Sequence, residues 1–364
     1  MSFAMPWCGC CHRKITHRLF DDTGSLIWSK RDRNAWTSNN LSLYLGIALS
    51  KVGIDVWTTS YRNAGTATSL LQWDVSGVID DSTTLPDGTG GGDRKVVSDS
   101  SGNLYIGHSA TAAYKTIVKL DSNLDVVWQF VSPGHAGLRF AQNSEALALS
   151  PDETRLACIT YLSKSGYANQ GRIAELDTSG TEQWSYTLNP TDESGGSPHY
   201  PIYTIYDPSG NLWAATLHPV TIGGLGTGNW IRFDGTGTPD RVICFLQTDF
   251  PDFIQFDSSG NVYLLSGSSP ATWKVEKYDD TGSAISNFSI DTIGTSGFKI
   301  DPNDNIYLLG PASGVAHRLA CYSLAGSKLW SYDETVPGSL LTSGLWFLAC
   351  NDGYVAVAGP VREE

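Results

Sequence analysis

A nine-residue stretch near the N-terminus, Phe20-Asp21-Asp22-Thr23-Gly24-Ser25-Leu26-Ile27-Trp28, returns six more times along the chain. The copies begin at Phe20, Trp73, Leu120, Leu176, Phe233, Tyr278 and Tyr322. Their aspartates are Asp21, Asp74, Asp121, Asp177, Asp234 and Asp279, with Ser323 in the seventh place. Their glycines are Gly24, Gly77, Gly180, Gly237, Gly282 and Gly326, with Leu124 in the third copy. Trp28, Trp128, Trp184 and Trp330 close four copies, while Ile79, Pro239 and Ala284 lie in the degraded ends of the others. An Asp that can accept backbone N–H bonds, followed three residues later by a Gly free to turn left-handed, makes a tight reversal with a bulge. With an apolar strand on each side, every copy predicts a β-hairpin.

A second hairpin precedes the first in each period. It reads Asp99-Ser-Ser-Gly-Asn-Leu-Tyr105, Asp207-Pro-Ser-Gly-Asn-Leu-Trp213, Asp257-Ser-Ser-Gly-Asn-Val-Tyr263 and Asp301-Pro-Asn-Asp-Asn-Ile-Tyr307, with weaker versions elsewhere. Two hairpins in a period of roughly 40–50 residues or slightly more predict four-stranded blades of a β-propeller. The stretch from Ile15 to Arg31 supplies one hairpin only, and the C-terminal run Leu345–Ala358 supplies the other. These two pieces are expected to share one blade and close the ring, leaving no free sheet edge at the seam. The fold class is therefore all-β, a seven-bladed propeller of four-stranded antiparallel blades. The other six are expected near 41–81, 95–131, 143–188, 200–247, 252–290 and 296–332. Residues 1–14 form a Cys-rich tail and 15–364 the ring.

The outer hairpin, as in Ala174-Glu-Leu-Asp-Thr-Ser-Gly-Thr-Glu-Gln-Trp184, resembles the repeat of quinoprotein-like (PQQ-repeat) propellers. The inner one, as in Asp257-Ser-Ser-Gly-Asn-Val-Tyr263, is similar to the short repeat of NHL-like bacterial propellers. The resemblance covers nearly the whole chain after residue 14 and implies a scaffold. Quinone dehydrogenases of that kind usually have eight blades and a vicinal Cys pair on the ring. Here the count is seven and the adjacent pair Cys10-Cys11 is in the tail, so the quinone cofactor PQQ is not carried over.

The formal net charge of −13 argues against nucleic acid, because phosphate contacts need clustered Lys and Arg. The basic cluster is Arg13, Lys14, His17, Arg18, Lys30, Arg31 and Arg33, read as an ordinary solvated face, with a face toward an acidic partner as the alternative. No apolar run reaches the length of a membrane span, and Met1 to Lys14 lacks the apolar core of a secretory signal. The expectation is a soluble chain, cytoplasmic or virion-associated.

The tail carries Cys8-Gly-Cys10-Cys11-His12, which fits the haem-attachment pattern C-x-x-C-H. Haem attachment belongs to an exported, pocketed protein, so zinc held by Cys8, Cys10, Cys11 and His12 is the better metal, with an incidental terminus as the plain alternative. Cys158, Cys244, Cys321 and Cys350 sit in strand-like runs and are expected to be buried thiols.

Propeller topology puts the tight Asp turns on one face and the strand-two-to-three and blade-to-blade connections on the other. The long connections are Ser82–Asp93, Ser132–Gln142, Ser163–Gly171, Asn189–His199 and Leu217–Gly228. The topology assigns His108, His135, His199 and His218 to that long-loop face, with His317 a possible fifth. A metal there would have Asp93, Asp192 and Glu193 near it; solvated loop histidines are the plain alternative. Tyr167, Tyr200 and Trp230 near the same loops suit either stacking on a sugar or packing between blades. Three functions stay open: a non-enzymatic module that binds another protein in a virion or other large assembly, a metal-dependent lyase or hydrolase, and a carbohydrate-binding propeller.

Overall fold

The Asp-x-x-Gly stretches fold as their residues dictate. In the computed structural model, Asp21 Oδ1 accepts the backbone N–H groups of Thr23 and Ser25 at 3.0 and 2.9 Å. Gly24 stands at φ +82° and donates its N–H to the Asp21 carbonyl. The ladder shifts between Leu19 and Phe20, the bulge such a turn produces. The same carboxylate bonds recur at Asp74, Asp121, Asp177, Asp234 and Asp279.

The structure describes residues 13–32, 47–51, 55–62, 67–84, 94–108, 115–131, 147–162, 170–188, 201–244, 254–267, 273–291, 297–312, 315–334, 347–351 and 353–362. Among them 28 strands form seven four-stranded antiparallel sheets, and there is no helix. Blade 1 is the composite one, ordered β27 (Phe347–Asn351), β28 (Tyr354–Arg362), β1 (Arg13–Asp21), β2 (Leu26–Asp32). β1 and β28 pair without a break from Arg13↔Arg362 to Asp21↔Tyr354, so the C-terminal strands close the ring. Arg13 and Lys14, read as tail, already belong to that ladder. Blades 2 to 7 span 47–84, 94–131, 147–187, 201–243, 254–289 and 297–334.

The core lies between blades, because a strand buried on both faces sends alternate residues to two neighbours. Leu19 joins Ile47, Leu71 and Trp73 of blade 2, while the next residue, Phe20, joins Tyr307, Leu319 and Cys321 of blade 7. The outer tryptophans are part of this joinery. A Cβ on Gly24 would lie 2.5 Å from the Trp330 ring of blade 7. Gly77 is covered in the same way by Trp28, Gly180 by Trp128 and Gly237 by Trp184. Where Trp is lost, an apolar side chain two residues further along the same strand face takes its place: Ile243 covers Gly282 and Phe288 covers Gly326. The third turn shows the converse. Blade 2 has Asp81 in the Trp position, and at the third turn Leu124 takes the place of Gly, at φ +63° with its own side chain buried.

The inner turns add bonds of their own. Asp257 Oδ1 accepts the N–H groups of Ser259 and Asn261, and Oδ2 accepts Asn261 Nδ2, Tyr263 Oη and Lys277 Nζ. Asp99, Asp207 and Asp301 hold Tyr105, Trp213 and Tyr307 in the same manner. Burial works against ionisation of Asp257, but the Asn261 bonds and the Lys277 ammonium prevail and hold its carboxyl below the usual range. Glu153 and Asp304 occupy left-handed positions where Gly would be expected. Their carboxylates reach across to a neighbouring blade, accepting Ser100 and Ser258 respectively. Asp257→Asn keeps the volume and loses the charge, so it is expected to cost about 1–2 kcal/mol. The urea midpoint of unfolding measures it; an unchanged midpoint would deny the clasp its role.

Candidate binding face

The two hairpin turns of each blade share one face, and the strand-two-to-three connections lie on the other, as the meander order requires. That second face is less uniformly looped than the sequence suggests. The stretch Leu217–Gly228 is mainly a continuation of β16 (Leu212–Ile222) and β17 (Gly226–Phe233). Their register shifts between Ala215 and Val220, then resumes as Val220↔Gly228, Thr221↔Thr227 and Ile222↔Gly226. Val220 is buried with Ala157, Ile173 and Leu188 of blade 4, which anchors the extension. The Gly223-Gly224 turn was read from the sequence as part of a loop, because nothing local distinguishes a loop from a prolonged hairpin. In blade 7 the corresponding connection closes directly, with Ala312 paired to Val315.

Three of the five candidate histidines are described in part or whole. His108 ends β8 (Leu104–His108), paired with Arg94. His218 falls in the shifted stretch of β16. His317 lies in β25 (Val315–Tyr322), opposite Glu334. It is half-buried between blades 7 and 1, and burial together with the Arg18 guanidinium pushes its pKa down to about 4. Arg18 is itself tied to Glu334 at 2.7 Å. A metal cation brought to His317 would meet that guanidinium, so the residue is better suited to the joint than to a ligand set. His135, His199, Tyr167, Tyr200, Asp93, Asp192, Glu193 and the tail residues Cys8, Cys10, Cys11 and His12 lie outside the described residues. Among the described residues no three His, Cys, Asp or Glu side chains gather as a metal site.

Trp230 is 0 % exposed and packs edge-on against Tyr203 at 5.8 Å, inside the cluster between blades 5 and 6. A ring with no exposed surface offers no face to a sugar. Two residues of the presumed solvated basic face are also buried. Arg18 makes the ion pair just described, and His17 is 0 % exposed with its ring 4.8 Å from Trp73. His17 shares the strand parity of Leu19, and that alternation was the available signal. Of the four ring cysteines, Cys158 and Cys321 are buried, and burial pushes both thiols up to about 12. Cys350 is half-buried and Cys244 is exposed, the latter because β18 (Pro239–Ile243) ends one residue before it.

No family model matches the chain, and no curated protein matches it. Solved structures do. The Neurospora crassa Pan2 WD40 domain is 11% identical, with 87% of this chain and 89% of that one covered at a TM-score of 0.54. The Dos1 propeller is 16% identical, with 88% and 76% covered and a TM-score of 0.53. Chaetomium thermophilum Raptor is 13% identical, with 96% of this chain and 30% of that chain covered and a TM-score of 0.58. At such identities the likeness is one of fold, and the chain is a seven-bladed β-propeller, an architecture commonly used for protein interaction.

Proposed function

We propose that the chain is a non-enzymatic binding module, a rigid ring that holds another protein within a larger assembly, of which a virus particle is one kind. The observation that carries this reading is the structural use of its buried acids. Asp99, Asp207, Asp257 and Asp301 clasp their own turns. Glu175 accepts Trp184 Nε1 at 3.0 Å and Tyr206 Oη at 2.7 Å. Carboxylates committed to several bonds at joints are placed to stiffen a ring, whereas a catalytic acid or base must keep an atom available to substrate. The long-loop face, together with the cysteine-bearing tail, is the surface offered, since connections on a rigid scaffold are where partners usually bind. The hairpins are of the quinoprotein-like kind, employed without the quinone.

Elemental analysis of the purified chain, intact and lacking residues 1–12, tests this. The expected result is no stoichiometric divalent metal in the ring, and loss of partner from the truncated chain if the tail docks. One equivalent of metal retained by the truncated ring would overturn the reading in favour of a lyase or hydrolase built on the loop histidines. A glycan panel that found a ligand lost on Tyr167→Ala would overturn it in favour of a lectin.

A further inference from the structure

The third strands of the seven blades can be aligned on their outer turns. Four residues before the turn Asp or Ser stand His17, Leu70, Ile117, Ile173, Trp230, Val275 and Leu319. All seven are 0–2 % exposed, so the fold needs only a hydrophobic side chain there. Only His17 can carry a charge in that place. Neither of its ring nitrogens has a hydrogen-bond partner among the described residues, and a buried polar atom left unpaired works against the closed structure.

The hairpin of β1 and β2 holds two more such atoms. Thr16 Oγ1 and Trp28 Nε1 are buried and unpaired among the described residues. The sister tryptophans are satisfied: Trp128 Nε1 donates to the Thr178 carbonyl at 3.0 Å, Trp184 Nε1 to Glu175 at 3.0 Å and Trp330 Nε1 to the Asp22 carbonyl at 2.7 Å. This hairpin is also attached differently. In blades 2 to 7 the chain runs directly from the second strand into the third, whereas β1 meets its second strand, β28, from the other end of the sequence. Its backbone place in the blade rests on the ladder from Arg13↔Arg362 to Asp21↔Tyr354, of which His17↔Ala358 is the middle pair. A third strand tied to its neighbour by a short connection stays close when the pairing breaks; β1 has no such tether.

The surroundings of His17 do not favour a proton on it. Lys30 stands opposite on β2, and its stem crosses to Gly77 of blade 2, the side that His17 faces. Ala358 stands opposite on β28, and blade 2 lays the Trp73 ring 4.8 Å away. Leu19, Leu71 and Ala356 complete the packing on that side. On the other face of β1, Arg18 pairs with Glu334 of blade 7 at 2.7 Å, and His317 lies opposite Glu334. Protonation therefore sets His17 against Lys30 across the ladder and His317 against Arg18 across the joint, and like charges opposed in this way weaken a sheet. Burial holds the His17 pKa down to about 3, so the ring stays neutral while the ladder is closed and takes its proton near 6.5 once exposed.

We propose that the hairpin of β1 and β2 is an acid-released latch: in mildly acid solution the β1–β28 ladder opens at His17 and frees the hairpin while the other six blades stay folded. Because the open state binds the proton near pH 6.5 and the closed state only near 3, closure is fully favoured above the first value and weakens as pH falls toward the second. The latch stands on the ring alone and goes beyond the binding-module reading. To that reading it adds a condition, since residues 1–12 lead directly into β1 and a partner held there is let go when the strand leaves the ring.

Hydrogen exchange of the full chain in low urea, at pH 7 and pH 5 and corrected for intrinsic rates, tests it. Amides of β1 and β28 are compared with those of β12 (Arg155–Leu162) and β13 (Gln170–Asp177) in blade 4, across the ring. From pH 7 to pH 5 the opening constant of the seam amides is expected to rise at least about 25-fold. At pH 5 it should exceed that of the blade 4 amides about tenfold and depend less on urea, as an opening smaller than global unfolding does. His17→Leu restores the kind of residue found in the sister strands and should remove a factor of about 25 from the rise. His17→Gln, polar but without a charge in this range, should do the same. A seam that opens no faster at pH 5, or a rise that survives both substitutions, overturns the proposal. So does a seam that opens only together with blade 4 and with the same urea dependence, since acid would then unfold the ring rather than unlatch it. None of these outcomes touches the binding-module reading, which metal and partner content decide.

Discussion

Gly237→Ala is expected to destabilise the ring by about 3 kcal/mol, although the added group is one methyl. Two costs combine. Gly237 stands at φ +80°, where a residue with a Cβ loses about 1–2 kcal/mol. The new Cβ would also lie 2.4 Å from the Trp184 ring, which is stacked on Phe233 at 5.5 Å and cannot simply swing away. Overpacking of this kind costs about 1–3 kcal/mol. Gly260 separates the two terms. It stands at φ +83° with nothing within 4 Å of its would-be Cβ, so Gly260→Ala is expected to cost only the backbone part. Urea unfolding of both variants, and of Gly237→Ala combined with Trp184→Ala, checks the argument. The combination should cost less than the sum of the two single variants, because its clash is gone. Equal costs at Gly237 and Gly260 would show that the ring does not press on the turn.

The same contact explains which parts of the repeat were readable. The turns were, because an Asp and a left-handed Gly are local requirements that leave a local signature. The closure was also, because the chain supplies half a blade at each end. What the four recurring tryptophans do was not legible. In sequence Trp184 seems to end the hairpin that begins at Leu176, yet its ring lies over Gly237 of the next blade. That contact bridges more than fifty residues, and no spacing rule within one repeat reveals it. Leu124 looks like decay of the motif when blade 3 is read alone. It becomes intelligible once Asp81 of blade 2 is seen to provide no ring. Glu153 and Asp304 look equally irregular until their carboxylates are found on the serines of adjacent blades.

The candidate site was less legible because its residues are spread over connections whose geometry no repeat dictates. Topology could assign His108, His218 and His317 to one end of the strands, but it could not say what each faces. For His317 the decisive neighbour, Arg18, comes from the opposite end of the chain across the closing seam. Trp230 was ambiguous for the same reason, since a strand residue near a loop serves surface or joint according to parity and to the neighbouring blade.

Stability is expected to fall as pH is lowered from 7 to 5, and replacing His17 should remove part of that fall. His17 is fully buried, neither ring nitrogen has a hydrogen-bond partner among the described residues, and burial pushes its pKa down to about 3. Lys30 stands opposite it on β2 and Ala358 on β28, while Trp73 covers its ring, so nothing there welcomes an imidazolium. The unfolded chain protonates the same ring near pH 6.5, so between about 6.5 and 3 the unfolded state holds more protons. Stability is then fully present above the unfolded pKa and is lost at about 1.4 kcal/mol per pH unit below it, about 2 kcal/mol by pH 5. His317, depressed to about 4, adds a loss of the same sign. The turn aspartates Asp21, Asp177 and Asp257 are held below the usual carboxylate range and contribute at lower pH, outside this window. His17→Phe keeps an aromatic ring against Trp73 without a titrating group. Its unfolding free energy should drop between pH 7 and pH 5 by about 2 kcal/mol less than that of the natural chain, whatever its absolute stability. Other histidines titrate alike in both proteins and cancel in the comparison. Parallel pH profiles would mean that His17 reaches a proton-sharing partner in solution, and that the seam between the chain's two ends does not sense acid through this residue.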